Sequence, residues 1–199
     1  MCIRDSISKE RRILNNLDKD EIEYLSIFQL ISIKPVVYVC NVDENSSVNG
    51  NSHTKSIEEY SKLNNSETLL VSAKIESEIS QISDIEEKKM FLDSMGLKET
   101  GLKRVIKKGY ALLNYINFFT AGEKELRAWT ISKGTLAPSA AGEIHTDMEK
   151  GFIRAETISY EDYIEYNGES GAKEKGKLRL EGKEYEVNDG DVMHFLFNV

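Results

Sequence analysis

Two short apolar segments joined by a helical pattern constrain the fold of the first half of this chain more than any other feature. The segments Val36–Cys40 and Thr68–Val71 are rich in β-branched residues, as strands are. Between them lie a polar loop over 44–53 and a helical pattern with Ile57 and Tyr60 on its inner side. Strand, helix and strand in this order predict a βαβ unit, the repeating element of an α/β domain.

Helical patterns flank this unit on both sides. Residues 8–33 are predicted to be helical, with Asp18 and Glu21 as a capping box, and a last helix is predicted from about Thr100 to Leu113. Two further helix starts are predicted at serine–glutamate pairs, Ser56 with Glu59 and Ser83 with Glu86.

From about Tyr115 the pattern changes to short strands separated by turns. The predicted strands are INFFT, ELRAWTI, FIRAETIS, LRLEGKEYEV and VMHFLFNV, with one helix over Ala140–Glu149. Strands wrapping one helix predict a small α+β domain.

Charge and composition exclude several classes of protein. The 199 residues carry a net charge of −8, so no general attraction to nucleic acid or to an anionic membrane is expected. The segment 114–199 holds 10 Lys and Arg against 16 Asp and Glu, a balance of −6. No apolar run approaches the ~20 residues of a membrane span. Two cysteines cannot form a disulfide framework, which predicts a cytoplasmic protein.

The patterns of common catalytic sites are absent from the sequence. The histidines His53, His145 and His194 lie far apart, with no second ligand at metal-site spacing, so no metal site is predicted. We expect His145 to help fix the start of its helix. No G-x-S-x-G nucleophile elbow occurs, and no catalytic residue is assigned.

A glycine-containing segment resembles a phosphate-binding loop but does not fit one. GAKEKGK at 171–177 matches G-x-x-x-x-G-K, yet Leu178 follows where Ser or Thr would bind Mg²⁺. No buried strand precedes the segment and a strand is expected after it, so we reject it as a phosphate loop. Its basic residues have two interpretations, a solvated lysine-rich turn or a contact with RNA phosphates: Lys173, Lys175, Lys177 and Arg179.

The loop after the first predicted strand indicates a nucleotide base. Guanine-binding loops read Asn-Lys-x-Asp, and here Asn41 is followed by Val42 and, at the fourth position, Glu44. The aspartate accepts hydrogen bonds from guanine N1–H and the 2-amino group. Glutamate displaces that carboxylate and valine removes the lysine, so guanine preference should be lost. Ser72-Ala73-Lys74, after the second strand, occupies the place of the second base-side loop.

These motifs belong to a longer resemblance. The segment from FFTAGEKELRAWTI to VMHFLFNV resembles the TGS domain of the Obg-like ATPase (YchF) family, and the resemblance extends upstream through LKRVIKKGYALLNYI and KPVVYVCNVDEN. It implies an α/β remnant of a P-loop nucleotide-binding domain with helical segments, followed by an α+β ubiquitin-like β-grasp (TGS) domain. The implied boundaries are a helical segment over 1–34, the end of the nucleotide domain over 35–113, and the TGS domain over 114–199.

The resemblance also implies function. Family members bind and hydrolyse ATP with Mg²⁺ and associate with the large ribosomal subunit. Their altered guanine loop, Asn-x-x-Glu, matches Asn41–Glu44, so the implied base-binding residues are Asn41, Val42, Glu44, Ser72, Ala73 and Lys74. The family's phosphate loop and Mg²⁺-binding segments find no match here. We therefore expect a piece of a longer ATPase that does not turn over alone. The alternative is a TGS-type module that binds ribosome, RNA or a small ligand without nucleotide chemistry.

Overall fold

A computed structural model describes residues 18–31, 34–122 and 125–198, which fall into two compact units. The first unit ends at Leu112 and the second begins at Leu113. None of the described helices has the length and apolar character needed to cross a bilayer.

The first unit is built on the predicted βαβ element. Strands β1 (Val37–Asn41) and β2 (Glu67–Val71) pair in parallel, joined by α2 (Ser52–Leu63). The preceding helix α1 (Lys19–Ser26) begins at the predicted Asp18–Glu21 capping box. This helix ends at Ser26, whereas the prediction extended over 8–33. Residues 8–17 and 32–33 of that prediction lie outside the described residues.

Three helices complete the first unit: α3 (Ala73–Gln81), α4 (Ile85–Ser94) and α5 (Gly101–Leu112). Its apolar core consists of Ile75, Ile79, Leu92 and Leu97. Two predicted helix starts were wrong. Helix α2 begins at Asn51, whose side chain and that of Thr54 form the capping box, and α4 is capped by Asp84 rather than Ser83. Asn and Asp are strong N-caps: Asn51 lies before Ser56 in the chain, and Asp84 directly follows Ser83.

The second unit is a mixed five-stranded sheet. Its strands are β3 (Tyr115–Ala121), β4 (Leu126–Ser132), β5 (Phe152–Ile158), β6 (Arg179–Glu181) and β7 (Val192–Phe197), in the order β4-β3-β7-β5-β6. The central pair β3–β7 is parallel and the other pairs are antiparallel.

Four helices accompany this sheet: α6 (Ala137–Ile144), α7 (Thr146–Lys150), α8 (Tyr160–Glu165) and α9 (Glu169–Glu174). Helix α6 packs closely against the sheet through small side chains: Ala137, Ala140 and Ala141 have no exposed surface and belong to the core. The helix predicted over 140–149 is two helices joined at His145, whose Nδ1 accepts a hydrogen bond from the Asp147 N–H at 3.2 Å. The predicted role of His145 at a helix start is confirmed.

The segment 160–187 differs from prediction. Helices α8 and α9 were not predicted, and only Arg179–Glu181 of the expected strand LRLEGKEYEV is a strand. The glycine of the phosphate-loop pattern, Gly171, lies inside α9, where an added Cβ would overlap the carbonyl oxygen of Tyr166. Close backbone packing therefore accounts for this glycine, and the rejection of the phosphate loop is supported.

Candidate nucleotide-binding site

The two loops predicted to flank a base meet at one end of the first unit. Because β1 and β2 are parallel, with Asn41 opposite Val71, their carboxyl ends lie side by side. The Val42 N–H extends the ladder by donating to the Val71 carbonyl at 2.9 Å. Both loops then leave the same edge, the place where open α/β sheets bind ligands.

The first loop is shaped by its own hydrogen bonds. The Asp43 carboxylate accepts from the Ser46 N–H at 2.8 Å. Hydrogen bonding to the Ser46 side chain, and next to the Ser46 backbone, lowers the pKa of Asp43. The Ser47 hydroxyl, buried, donates to the Glu44 carbonyl at 2.7 Å. These bonds form a short turn over 43–47, directly after the Val42 N–H that is bonded to Val71.

Two direct contacts join the loops. The side-chain oxygen of Asn41 accepts from the Ala73 N–H at 3.0 Å. The Lys74 ammonium lies 2.5 Å from a carboxylate oxygen of Glu44, and this hydrogen bond and charge raise the pKa of Lys74. Val42 and Ser72 complete the predicted set. Asn41 ends β1 and is followed by Val42 and Glu44, whereas Ser72 is the N-cap of α3 and Ala73 and Lys74 are its first residues.

Ser72 supplies an unexpected feature of this site. It is the N-cap residue of α3 and is 3% exposed, yet its side chain makes no capping bond. Its hydroxyl oxygen is buried without a hydrogen-bond partner in the described part of the chain. Such a group is unfavourable unless another molecule satisfies it, because buried hydroxyls are normally bonded.

Sequence reasoning missed Glu76, which holds the end of this unit together. From the first turn of α3, its carboxylate accepts from the backbone N–H groups of Gly101 at 2.6 Å and Leu102 at 3.2 Å. It thereby caps the start of α5. The partners are 25 residues apart, so no local pattern signals this contact.

The four residues of the predicted basic patch differ in whether they form ion pairs. Lys177 pairs with Asp162 at 3.1 Å, and Arg179 contacts Asp191 at 3.4 Å and Glu181 at 3.7 Å. Lys173 and Lys175 are exposed, with no ion pair recorded within the described residues. Two of the four cations are thus engaged within the chain.

Comparison with known proteins agrees with this geometry. Residues 115–198 match the family model YchF-GTPase_C, "Protein of unknown function (DUF933)". "Ribosome-binding ATPase YchF" of Haemophilus influenzae is 54% identical over 92% of this chain and 50% of its own length. The Bacillus subtilis protein of that name is 54% identical over 85% of this chain and 47% of its own. The chain spans about half the length of the curated relatives it matches.

Solved structures also match this chain. A GTP-binding protein from Pyrococcus horikoshii, 17% identical, matches with a TM-score of 0.60 over 92% of this chain and 58% of its own, so the two share an α/β fold over this range. The Schizosaccharomyces pombe YchF GTPase, 34% identical, matches with a TM-score of 0.76 over 91% of this chain and 48% of its own. Over most of its length the chain is therefore similar to proteins of the YchF family, and its residues 115–198 match the C-terminal model of that family.

Proposed function

We propose that this chain supplies the base-binding side of an adenine-nucleotide site in a ribosome-associated P-loop ATPase of the YchF type. The observation that carries the proposal is the meeting of two separate loops through Asn41–Ala73 and Glu44–Lys74. Neither contact is local in sequence, and both involve residues of the altered base-binding motifs.

The occupied hydrogen-bonding groups support adenine over guanine. A guanine-binding site needs a carboxylate that accepts hydrogen bonds from N1–H and the 2-amino group of the base. Here the Glu44 carboxylate is bound by Lys74, and the Ala73 N–H is bound by Asn41. Adenine makes no demand on a carboxylate, because its N1 is an acceptor and it lacks the 2-amino group.

The architecture fits the same proposal. We assign residues 35–113 to the end of a P-loop nucleotide-binding domain, 1–34 to a helical segment, and 114–199 to a TGS domain of the β-grasp type. The mixed sheet with α6 on one face supports the last assignment. The ATPase would act in the cytoplasm on the large ribosomal subunit.

We assign no residue of this chain as a ligand of Mg²⁺ or phosphate. Within the described ranges no three His, Cys, Asp or Glu side chains cluster as a metal site would require. Hydrolysis depends on phosphate and metal positioning, so the role we assign to this chain is to contact the base.

A chimera tests the proposal. This chain, joined to the remaining half of the Haemophilus influenzae relative, should bind a fluorescent ATP analogue more tightly than the matching GTP analogue. Asn41→Ala should weaken ATP binding because it releases the Ala73 loop, whereas Ser80→Ala, exposed on α3, serves as the control. Equal affinity for both analogues, or no effect of Asn41→Ala, would count against the proposal.

One observation favours the second candidate, a TGS-type module that docks on the ribosome by itself. Lys173 and Lys175 project from an otherwise acidic unit without recorded ion pairs in the described residues. Co-sedimentation of the chain with large ribosomal subunits should then fall in Lys173→Ala/Lys175→Ala. It should change less in Lys177→Ala, whose cation is already paired with Asp162.

A further inference from the structure

The second unit carries an apolar groove on the side of the sheet opposite α6. Strand alternation places Phe119, Ala128 and Leu126 on this side, since Phe119 lies opposite Ala128 in the β3–β4 register. Helix α8 forms the other wall with Tyr160 and Ile164. The groove has a volume of about 400 Å³ and is almost wholly apolar.

The groove's apolar side chains are left open to solvent. Leu126 is 76% exposed, Ile164 58% and Tyr160 49%. A contiguous exposed apolar patch of this kind marks an interaction surface more often than a random surface does.

The groove adjoins a strand edge that is able to pair. Strand β4 is at the end of the sheet, and in the described part of the chain no strand lies beyond it. The Gly122 N–H donates to the Glu125 carbonyl, and the Lys133 N–H donates to the Asn114 carbonyl. These two bonds show which residues of β4 are hydrogen-bonded to β3, because bonded and non-bonded pairs alternate along an antiparallel ladder. Arg127 and Trp129 therefore bond to β3, and Leu126 and Ala128 direct their backbone N–H and C=O groups outward.

This edge lacks the features that keep edges from pairing. Proteins protect edges with prolines, lysines, bulges or very short strands. The opposite edge, β6, is three residues long, whereas β4 runs for seven without proline, lysine or a recorded bulge. A strand edge offers a backbone ladder, which only an extended polypeptide can complete.

Charge indicates which polypeptide fits. The segment 114–199 has a balance of −6, and Glu125 and Glu161 stand exposed at the start of β4 and on α8. Arg127 is among the residues that line the groove, but its guanidinium lies 4.1 Å from the centre of the Trp129 ring, and Trp129 packs on the α6 side of the sheet. A nucleic acid or a second copy of this acidic unit would be repelled, and a basic segment would be attracted.

We propose that the groove and the outer edge of β4 dock an extended basic segment of a partner polypeptide. The segment adds as a strand beside β4 and places an apolar side chain between Leu126 and Ile164. This surface is separate from the nucleotide-binding loops, and the proposal does not depend on their function.

A peptide-binding experiment with the whole chain tests this. The probe is a fluorescein-labelled peptide of the length of β4 that alternates lysine with valine and leucine; a glutamate peptide with the same apolar residues is its counterpart. We expect the lysine peptide to bind, with amide NMR shifts confined to β4 and α8, and the glutamate peptide to bind at least about tenfold more weakly.

Variants separate the two parts of the surface. Ala128→Pro removes an outward N–H without touching the β3 ladder, and Leu126→Glu spoils the apolar wall. Each should weaken binding by about tenfold or more, whereas Leu180→Glu, 56% exposed on β6, should change it less than about twofold. Equal binding of both peptides, no binding, or insensitivity to Ala128→Pro would overturn the proposal. So would concentration-dependent dimerisation abolished by Ala128→Pro in the absence of peptide binding.

Discussion

At the scale of single residues, the site is defined by which hydrogen-bonding groups are already satisfied. Asn41, Glu44, Ala73 and Lys74 are paired with one another across the two loops. The Ser72 hydroxyl, buried beside them, has no partner among the described residues. The residue types were readable from the sequence. Their pairing was not, because it depends on the parallel register of β1 and β2.

The unpartnered hydroxyl leads to a stability prediction. Ser72→Ala should leave the free energy of unfolding unchanged or raise it, because a buried unsatisfied hydroxyl costs about 1–3 kcal/mol. Ser47→Ala is the matched control: its buried hydroxyl is bonded to the Glu44 carbonyl, so its loss should lower stability by about 1 kcal/mol. Urea unfolding of both variants measures this. Equal destabilisation would show that Ser72 already has a partner.

At the scale of elements, the sequence predicted more than at the scale of contacts. The βαβ unit, the Asp18–Glu21 capping box and most strands of the second unit were found where their patterns placed them. Helices α8 and α9 were missed because they are six residues each, too short to show a periodic apolar face. The strand expected over LRLEGKEYEV was cut short at Glu181, since a turn at Lys183 and Glu184 interrupts its alternation.

Glu76 joins two helices, and its removal should loosen α5. In Glu76→Ala the N–H groups of Gly101 and Leu102 lose their acceptor, which should destabilise the first unit by about 1–2 kcal/mol. Hydrogen exchange of the α5 amides would show faster opening in this variant. Glu78→Ala, exposed on the same helix, should leave the exchange unchanged; a similar rise in both variants would remove the special role of Glu76.

The connection between β6 and β7 is held by Asp191, a buried carboxylate. It accepts from the Tyr185 hydroxyl at 2.7 Å and from the Asn188 N–H at 2.9 Å. Burial, followed by the hydrogen bond to Asp191, raises the pKa of Tyr185. The folded state therefore keeps the Tyr185 proton to higher pH than the unfolded state does.

This shift predicts a loss of stability in alkali. The contribution of Tyr185 is fully present below its ordinary pKa of about 10 and is lost as the pH rises from there through the folded-state value. The melting temperature should fall as the pH rises above about 10, and the fall should be less steep in Tyr185→Phe. Tyr163→Phe, which leaves the Asp191 network intact, should retain the steep fall. Parallel curves for wild type and Tyr185→Phe would disprove the assignment.

At the scale of the whole molecule, the chain comprises two compact units with different evidence for their roles. The first carries the loops proposed to bind adenine, and the second matches the YchF-GTPase_C model. The family resemblance read from the sequence is confirmed by relatives 54% identical over most of this chain. The groove beside β4 could not be read from the sequence, because it depends on the strand order and on the unpredicted α8.

The central claim is that the Asn41–Glu44 and Ser72–Lys74 loops select adenine over guanine. Its most direct test is the ratio of kcat/KM for ATP to that for GTP, measured with the chimera that supplies the remaining half of a relative. We expect a ratio above about 10, and a shift toward GTP in the double variant Val42→Lys/Glu44→Asp, which restores a guanine-type loop. A chimera that hydrolyses GTP as well as ATP, or a ratio unmoved by the double variant, would contradict it.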